Sequence, residues 1–120
     1  MPNAVSLLPS ACDSVSQEDI PVTLENVSYG TVSARRVGSQ VILQLWGIGL
    51  SKMLSQWGSR KIGRISKEYA PAAASSAALA TDSTVSILVV YESGEIYVNS
   101  KNSTIEKGHN IEGQVAYFLS

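Results

Sequence analysis

The sequence has 120 residues, 44% of them hydrophobic and 16% charged, with a formal net charge of -1. That length makes one domain with one core, the composition is too apolar for disorder, and the near-neutral charge supplies no field to gather nucleic acid or an anionic membrane. A lone cysteine, Cys12, and a lone histidine, His109, exclude a Cys/His structural zinc site and an intrachain disulfide, and no apolar run of about 18 residues offers a membrane-spanning helix.

Residues 1–19 read as a leader, linker or attachment segment. They carry Pro2 and Pro9 and lack the basic start and long apolar stretch of a secretion signal. Ser14 to Glu18 has the composition of a short helix start, but an attachment segment fits the stretch better. Residues 20–120 form the domain. Ile20, Val22 and Leu24 alternate with polar positions, as in a strand, and Pro21 confines that strand to a start or an edge. Thr31 to Val37 and Val41 to Trp46 flank Gly38, Ser39 and Gln40, which predicts a hairpin. Val41, Leu43 and Leu45 share one face; Ile42, Gln44 and Trp46 share the other, and Gly47 to Gly49 ends the run.

Lys52 to Trp57 reads as a helical turn or a loop, and Lys61 to Ile65 as a short strand. Ala70 to Ala80 is alanine-rich and divides between helix and loop, because propensity favours helix and Pro71 opposes it. Thr84 to Tyr91 and Ile96 to Asn99 make a second hairpin around Gly94. Val85, Ile87, Val89 and Tyr91 share one face of it. Gln114 to Leu119 is a final strand. Many short strands without a long helical period predict an all-β fold, an antiparallel barrel or sandwich.

Catalytic chemistry finds little support, and no enzyme or cofactor is expected. A nucleophile needs an oriented base, and His109 lies in a polar loop, far in sequence from Cys12. Asp82, Glu92, Glu95, Glu106 and Glu112 show no spacing that singles out an acid and its partner. Gly47-Ile48-Gly49 lacks the following helix that a phosphate loop needs. Lys52, Arg60, Lys61, Arg64 and Lys67 lie near Trp46 and Trp57, a mixture found in single-strand binders. The balanced net charge favours a solvated surface, and no nucleic-acid or membrane partner is expected. Exposed aromatic rings also stack on sugars. On that chemistry Trp46, Trp57, Tyr97 and His109 are the candidate saccharide-binding residues.

One ordered set of segments resembles a known family. It runs from Gly30 to Val41 (GTVSARRVGSQV), through Trp57, Ile62 to Ile65 and Tyr69 to Pro71, to Val85 to Ile87, Ser93 to Ile96 and Val115 to Tyr117. In order and spacing it resembles the C-terminal head domain of phage tail-fibre and receptor-binding proteins, especially those of siphophages and prophages of Gram-positive bacteria. Ser66 and Ala70 stand where that pattern often has Pro and Arg. The resemblance implies a compact antiparallel β-barrel or jelly-roll-like sandwich, assembled as a homotrimer. It implies a head at a virion tail tip or baseplate, made in the host cytoplasm and binding polysaccharide at the host cell surface. Its other partner would be a fibre shaft or baseplate protein. The alternative is a structural trimerising tip or assembly protein without a sugar site. For the trimer, Ile42, Trp46, Leu88 and Val90 are expected to form a second buried face.

Overall fold

The computed structural model describes residues 17–82 and 84–119. Cys12 and residues 1–16 of the expected leader lie outside them. The described chain forms nine strands: β1 (Gln17–Ile20), β2 (Thr23–Leu24), β3 (Val27–Val37), β4 (Gln40–Leu50), β5 (Ser59–Arg64), β6 (Ser75–Thr81), β7 (Thr84–Val90), β8 (Glu95–Ser100) and β9 (Ile111–Phe118). The helical content among the described residues is a single 3-10 turn, Lys67–Tyr69.

All nine strands belong to one sheet, in the order β1-β3-β4-β9-β6-β7-β8-β5-β2. Every described pairing is antiparallel. The fold is therefore the expected all-β, antiparallel one, realised as a curled half-barrel. β1 and β2 are the two outermost strands, yet Pro21 and Val22 are all that separates them in the chain. Two linking residues span at most about 11 Å, so the sheet curls until its edges approach. Pro21 thus sits at the edge, as the sequence predicts. β1 begins at Gln17 and pairs with Val37 to Ala34 of β3, so residues 17–19 belong to the sheet.

The β3–β4 hairpin turns at Gly38, whose φ of 62° puts a glycine at the first central position of a two-residue turn. Along β4, Val41, Leu43 and Leu45 point into the core and Trp46 points out. The predicted stop at Gly47 to Gly49 does not occur. The strand runs on to Leu50 through a bulge at Gly47, which adopts a left-handed φ of 54°. The register shifts there against both β3 and β9. The bulge re-phases the strand, so that Ile48 and Leu50 rejoin the core.

Residues 75–81 are strand rather than helix or loop. β6 pairs with β7 along its whole length and with the start of β9, and Leu79 enters the core. Alanine's helix preference is worth under about 1 kcal/mol per residue, which sheet pairing and burial of Leu79 outweigh. The faces of β7 also differ from expectation. Leu88 and Val90 lie in the same core as Val41, Leu43, Ile96 and Val98, not with Ile42 and Trp46. β7 is apolar on both faces, and its register, Leu88 opposite Val98, decides which face is inside.

Candidate functional site

The antiparallel strands sort their connections into two ends. At one, the root end, lie the Gly38 turn, residues 65–74 and the turn at residues 92–94. The chain also enters there at Gln17, opposite Val37, and returns there at Leu119, whose N–H donates to the Ser39 carbonyl at 2.7 Å. At the opposite, loop end lie residues 51–58, the β6–β7 turn at Asp82 and residues 101–110.

The loop end is tied together by buried groups. Leu54 and Ile105 are both in the core and exchange two backbone hydrogen bonds at 2.9 Å. The buried Ser100 hydroxyl accepts the Gly58 N–H at 2.8 Å and donates to the Ser55 carbonyl at 2.5 Å. The Arg60 guanidinium donates to the carbonyls of Lys52 (3.1 Å) and Met53 (3.2 Å). Within this frame Trp57 adopts φ 60°, a left-handed conformation rare for a bulky residue. Such a residue costs about 1–3 kcal/mol and persists only where neighbours over-determine it. Here the Trp57 N–H is held by the Lys101 carbonyl at 2.8 Å. The result is an indole 68% exposed on a constrained backbone.

His109 belongs to the same end but has a local structural role. Its Nδ1 accepts the Glu106 N–H at 3.3 Å, and its own N–H donates to the Glu106 carbonyl at 3.1 Å. Beside it the Asn110 N–H donates to Asp82 Oδ2 at 3.0 Å. Trp46 stands on the outer wall, 58% exposed, one residue before the Gly47 bulge. A depression of ≈ 270 Å³ opens beside it, lined by Gln44, Leu45, Trp46, Glu112, Gly113 and Gln114. Gln44 Nε2 donates to Gln114 Oε1 across it at 2.9 Å.

Tyr97 is half-buried on the outer face of β8 and packs edge-on against Tyr91, with ring centroids 5.3 Å apart. Opposite it on β5, Lys61 pairs with Glu95 at 3.1 Å and Glu25 at 3.6 Å. The hydrogen bond to Glu95 raises the Lys61 pKa, and the same bond lowers that of Glu95. β8 lies four strands from β4, roughly 19 Å along the sheet at about 4.8 Å per strand. The structure thus spreads the four predicted residues over the surface: Trp57 and His109 share the loop end, Trp46 stands beside its own depression, and Tyr97 packs against Tyr91 on β8.

Gln44, Glu112 and Gln114, which line the depression beside Trp46, were not among the candidate saccharide-binding residues. A wider, open depression of ≈ 720 Å³ lies at the root end, lined by Pro21, Thr23, Ser93 and residues 64–69, well away from both tryptophans. It follows the seam where the sheet edges approach, beside the Tyr69 hydroxyl, which donates to Glu18 at 3.1 Å, an interaction that raises the tyrosine's pKa. The basic side chains are not one patch. Lys52 is at the loop end, Arg60 and Lys61 are engaged as described, and Arg64 and Lys67 line the seam. No group of three or more His, Cys, Asp or Glu suited to a metal ion occurs among the described residues.

No family model matches the sequence, and no curated protein matches it. Among solved structures, the chain is similar to the head domain of lactococcal phage bIL170, described as one of the receptor-binding domains of lactococcal phages. The two share 16% sequence identity and superpose with a TM-score of 0.68, over 89% of this chain and 100% of the other. The fold is thus that of a phage receptor-binding head domain, the one implied by the ordered segments from Gly30 to Tyr117.

Proposed function

We propose that the chain is the receptor-binding head of a phage or prophage tail fibre or baseplate, and that its receptor is a saccharide on the host surface. The observation that carries this reading is polarity of layout. The chain enters and returns at the root end, while the constrained, exposed Trp57 stands at the opposite end. In that reading the root end faces a shaft or baseplate protein, and the loop end faces the cell. The protein belongs in the virion, at the tail tip or baseplate, after synthesis in the host cytoplasm.

Self-association supports the same reading. β4, β9, β6 and β7 are neighbours in the sheet and carry a single charged residue, Glu112. Their outer face shows Val85, Phe118 and small alanines to solvent. The charge-free β6–β7 half of that wall suits contact with further copies of the chain around a threefold axis and leaves the Trp46 side, on β4 and β9, open; a trimer multiplies weak single-site affinities. That wall also favours a second reading, a structural tip that contacts only protein.

Adsorption separates the two. Labelled full-length protein should bind saturably to cells from a panel of Gram-positive bacteria. Soluble wall polysaccharide should compete, and periodate treatment of the cells should abolish binding. Replacing both Trp46 and Trp57 by alanine should remove adsorption and leave the thermal midpoint and the oligomeric mass in place. Adsorption to no cell of the panel, with the trimer intact, would favour the structural tip.

A further inference from the structure

The geometry points to the Trp46 depression as a binding site for one neutral pyranose ring, with Glu112 as the group that selects against anionic sugars. This rests on the saccharide reading above and deepens it by assigning three residues and a ligand class. Three features meet there independently. Trp46 is the large aromatic of β4 left facing solvent, at 58% exposure. The Gly47 bulge, which shifts register against both neighbouring strands, immediately follows it, and bulges recur where a side chain is re-aimed toward a ligand. The Glu112 carboxylate lies over that bulge, its Oε2 3.9 Å from where a side chain on Gly47 would begin.

The polar groups match the demands of a sugar. The Gln44–Gln114 hydrogen bond of 2.9 Å fixes both amides, leaving the Gln44 carbonyl to accept and the Gln114 NH₂ to donate. The Glu112 carboxylate accepts from hydroxyls, and such charge-assisted bonds are the strong ones. The indole face covers the apolar C–H side of the ring. At ≈ 270 Å³ the depression lies just under the range of about 300–1,000 Å³ that holds drug-sized ligands, a size suited to one ring. Glu112 is also the only charge on the four strands of this wall. Glu112 is the only charged residue lining the depression, so a sugar carboxylate or phosphate seated against it would meet like charge; the cation of the adjoining strand on that face, Arg35, stands opposite Ile42 and outside the lining.

The test is a ¹H–¹⁵N titration of the full chain with methyl α-glucopyranoside and N-acetylglucosamine as neutral probes and glucuronate as the anionic one. The neutral probes should move the Trp46 indole and the Gln44 and Gln114 side-chain amides, and glucuronate should bind about tenfold more weakly. Glu112→Gln should weaken the neutral sugars about tenfold, the loss of one hydrogen bond to a charged group, and narrow the gap to glucuronate. Glu112 and Trp46 are surface residues, and an unchanged thermal midpoint in each variant excludes unfolding. Shifts at Trp57 or His109 with none at Trp46 would overturn this site and leave the receptor reading standing. So would the absence of any shift while polysaccharide-competed adsorption persists. Equal binding of glucuronate would overturn the neutral-sugar assignment. Loss of both the shifts and adsorption would remove the receptor reading as well.

Discussion

The wall of β4, β9, β6 and β7 and the flanks made by β1, β3, β8, β5 and β2 bury the same kind of apolar inner residues and differ in the charge their strands carry. The flanks carry Glu18, Asp19, Arg35, Arg36, Arg60, Lys61, Arg64 and Glu95. The wall carries Glu112 alone. Folding alone does not require the difference, because inward alternation is satisfied on both sides. Charges on the flanks protect the exposed sheet edges from pairing with other chains. If the chain forms the proposed trimer, β6 and β7, which carry no charge, are the strands suited to meet another copy.

The largest effect should follow from breaking that contrast. Ile87→Lys places a charge on the outer face of β7, where an interface would bury it unpaired at a cost of several kcal/mol. Light scattering should report three chains for the unaltered protein, as the proposed trimer requires, and one for I87K. Ser33→Lys, on the flank, should leave the mass unchanged. An I87K protein that keeps three-chain mass would remove this wall from the interface.

A second comparison sharpens the first within one strand. Leu88 is fully buried and Val85 is 58% exposed. In the dissociated I87K background, Leu88→Ala should cost about 2–5 kcal/mol by urea unfolding, and Val85→Ala under about 0.5 kcal/mol. Equal losses would mean that β7 presents a different face to the core.

The smallest effect concerns Tyr117, on the inner face of β9. Its hydroxyl donates to the Tyr69 carbonyl at 2.6 Å, tying the last strand to the root-end loop. Burial pushes its pKa up from 10.0 to about 12. The folded state therefore favours the neutral phenol. The stability it contributes is complete below pH 10 and is lost as pH rises toward 12. Tyr117→Phe should cost about 1 kcal/mol at neutral pH, and thermal melts from pH 8 upward should show a shallower alkaline decline. An unchanged decline would place the alkaline transition on other groups.

Much of this architecture was legible in the residues. The alternation from Val41 to Trp46, the turn at Gly38 and the β7–β8 hairpin around Gly94 follow from period-two patterning and turn chemistry. The ordered segments from Gly30 to Tyr117 pointed to the fold now found. What escaped was set by distant pairing. Residues 75–81 became strand because β7 and β9 lie on either side. Leu88 and Val90 were assigned to the wrong face because both faces of their strand are apolar. The Trp46 depression needs Gln44 beside Gln114, 70 positions apart in sequence, and no local pattern announces that meeting. Trp57 was visible as a candidate, but its left-handed backbone was not, since that depends on the Lys101 carbonyl.

The short passage through Pro21 and Val22 has a mechanical consequence. β1 runs from Gln17 at the root end and lies antiparallel along β3. A molecule held at its loop end and pulled from Gln17 would load β1 along its own length. Its hydrogen bonds to β3 would then share the force in shear instead of opening one by one. The link to β2 passes what remains to the opposite margin of the sheet.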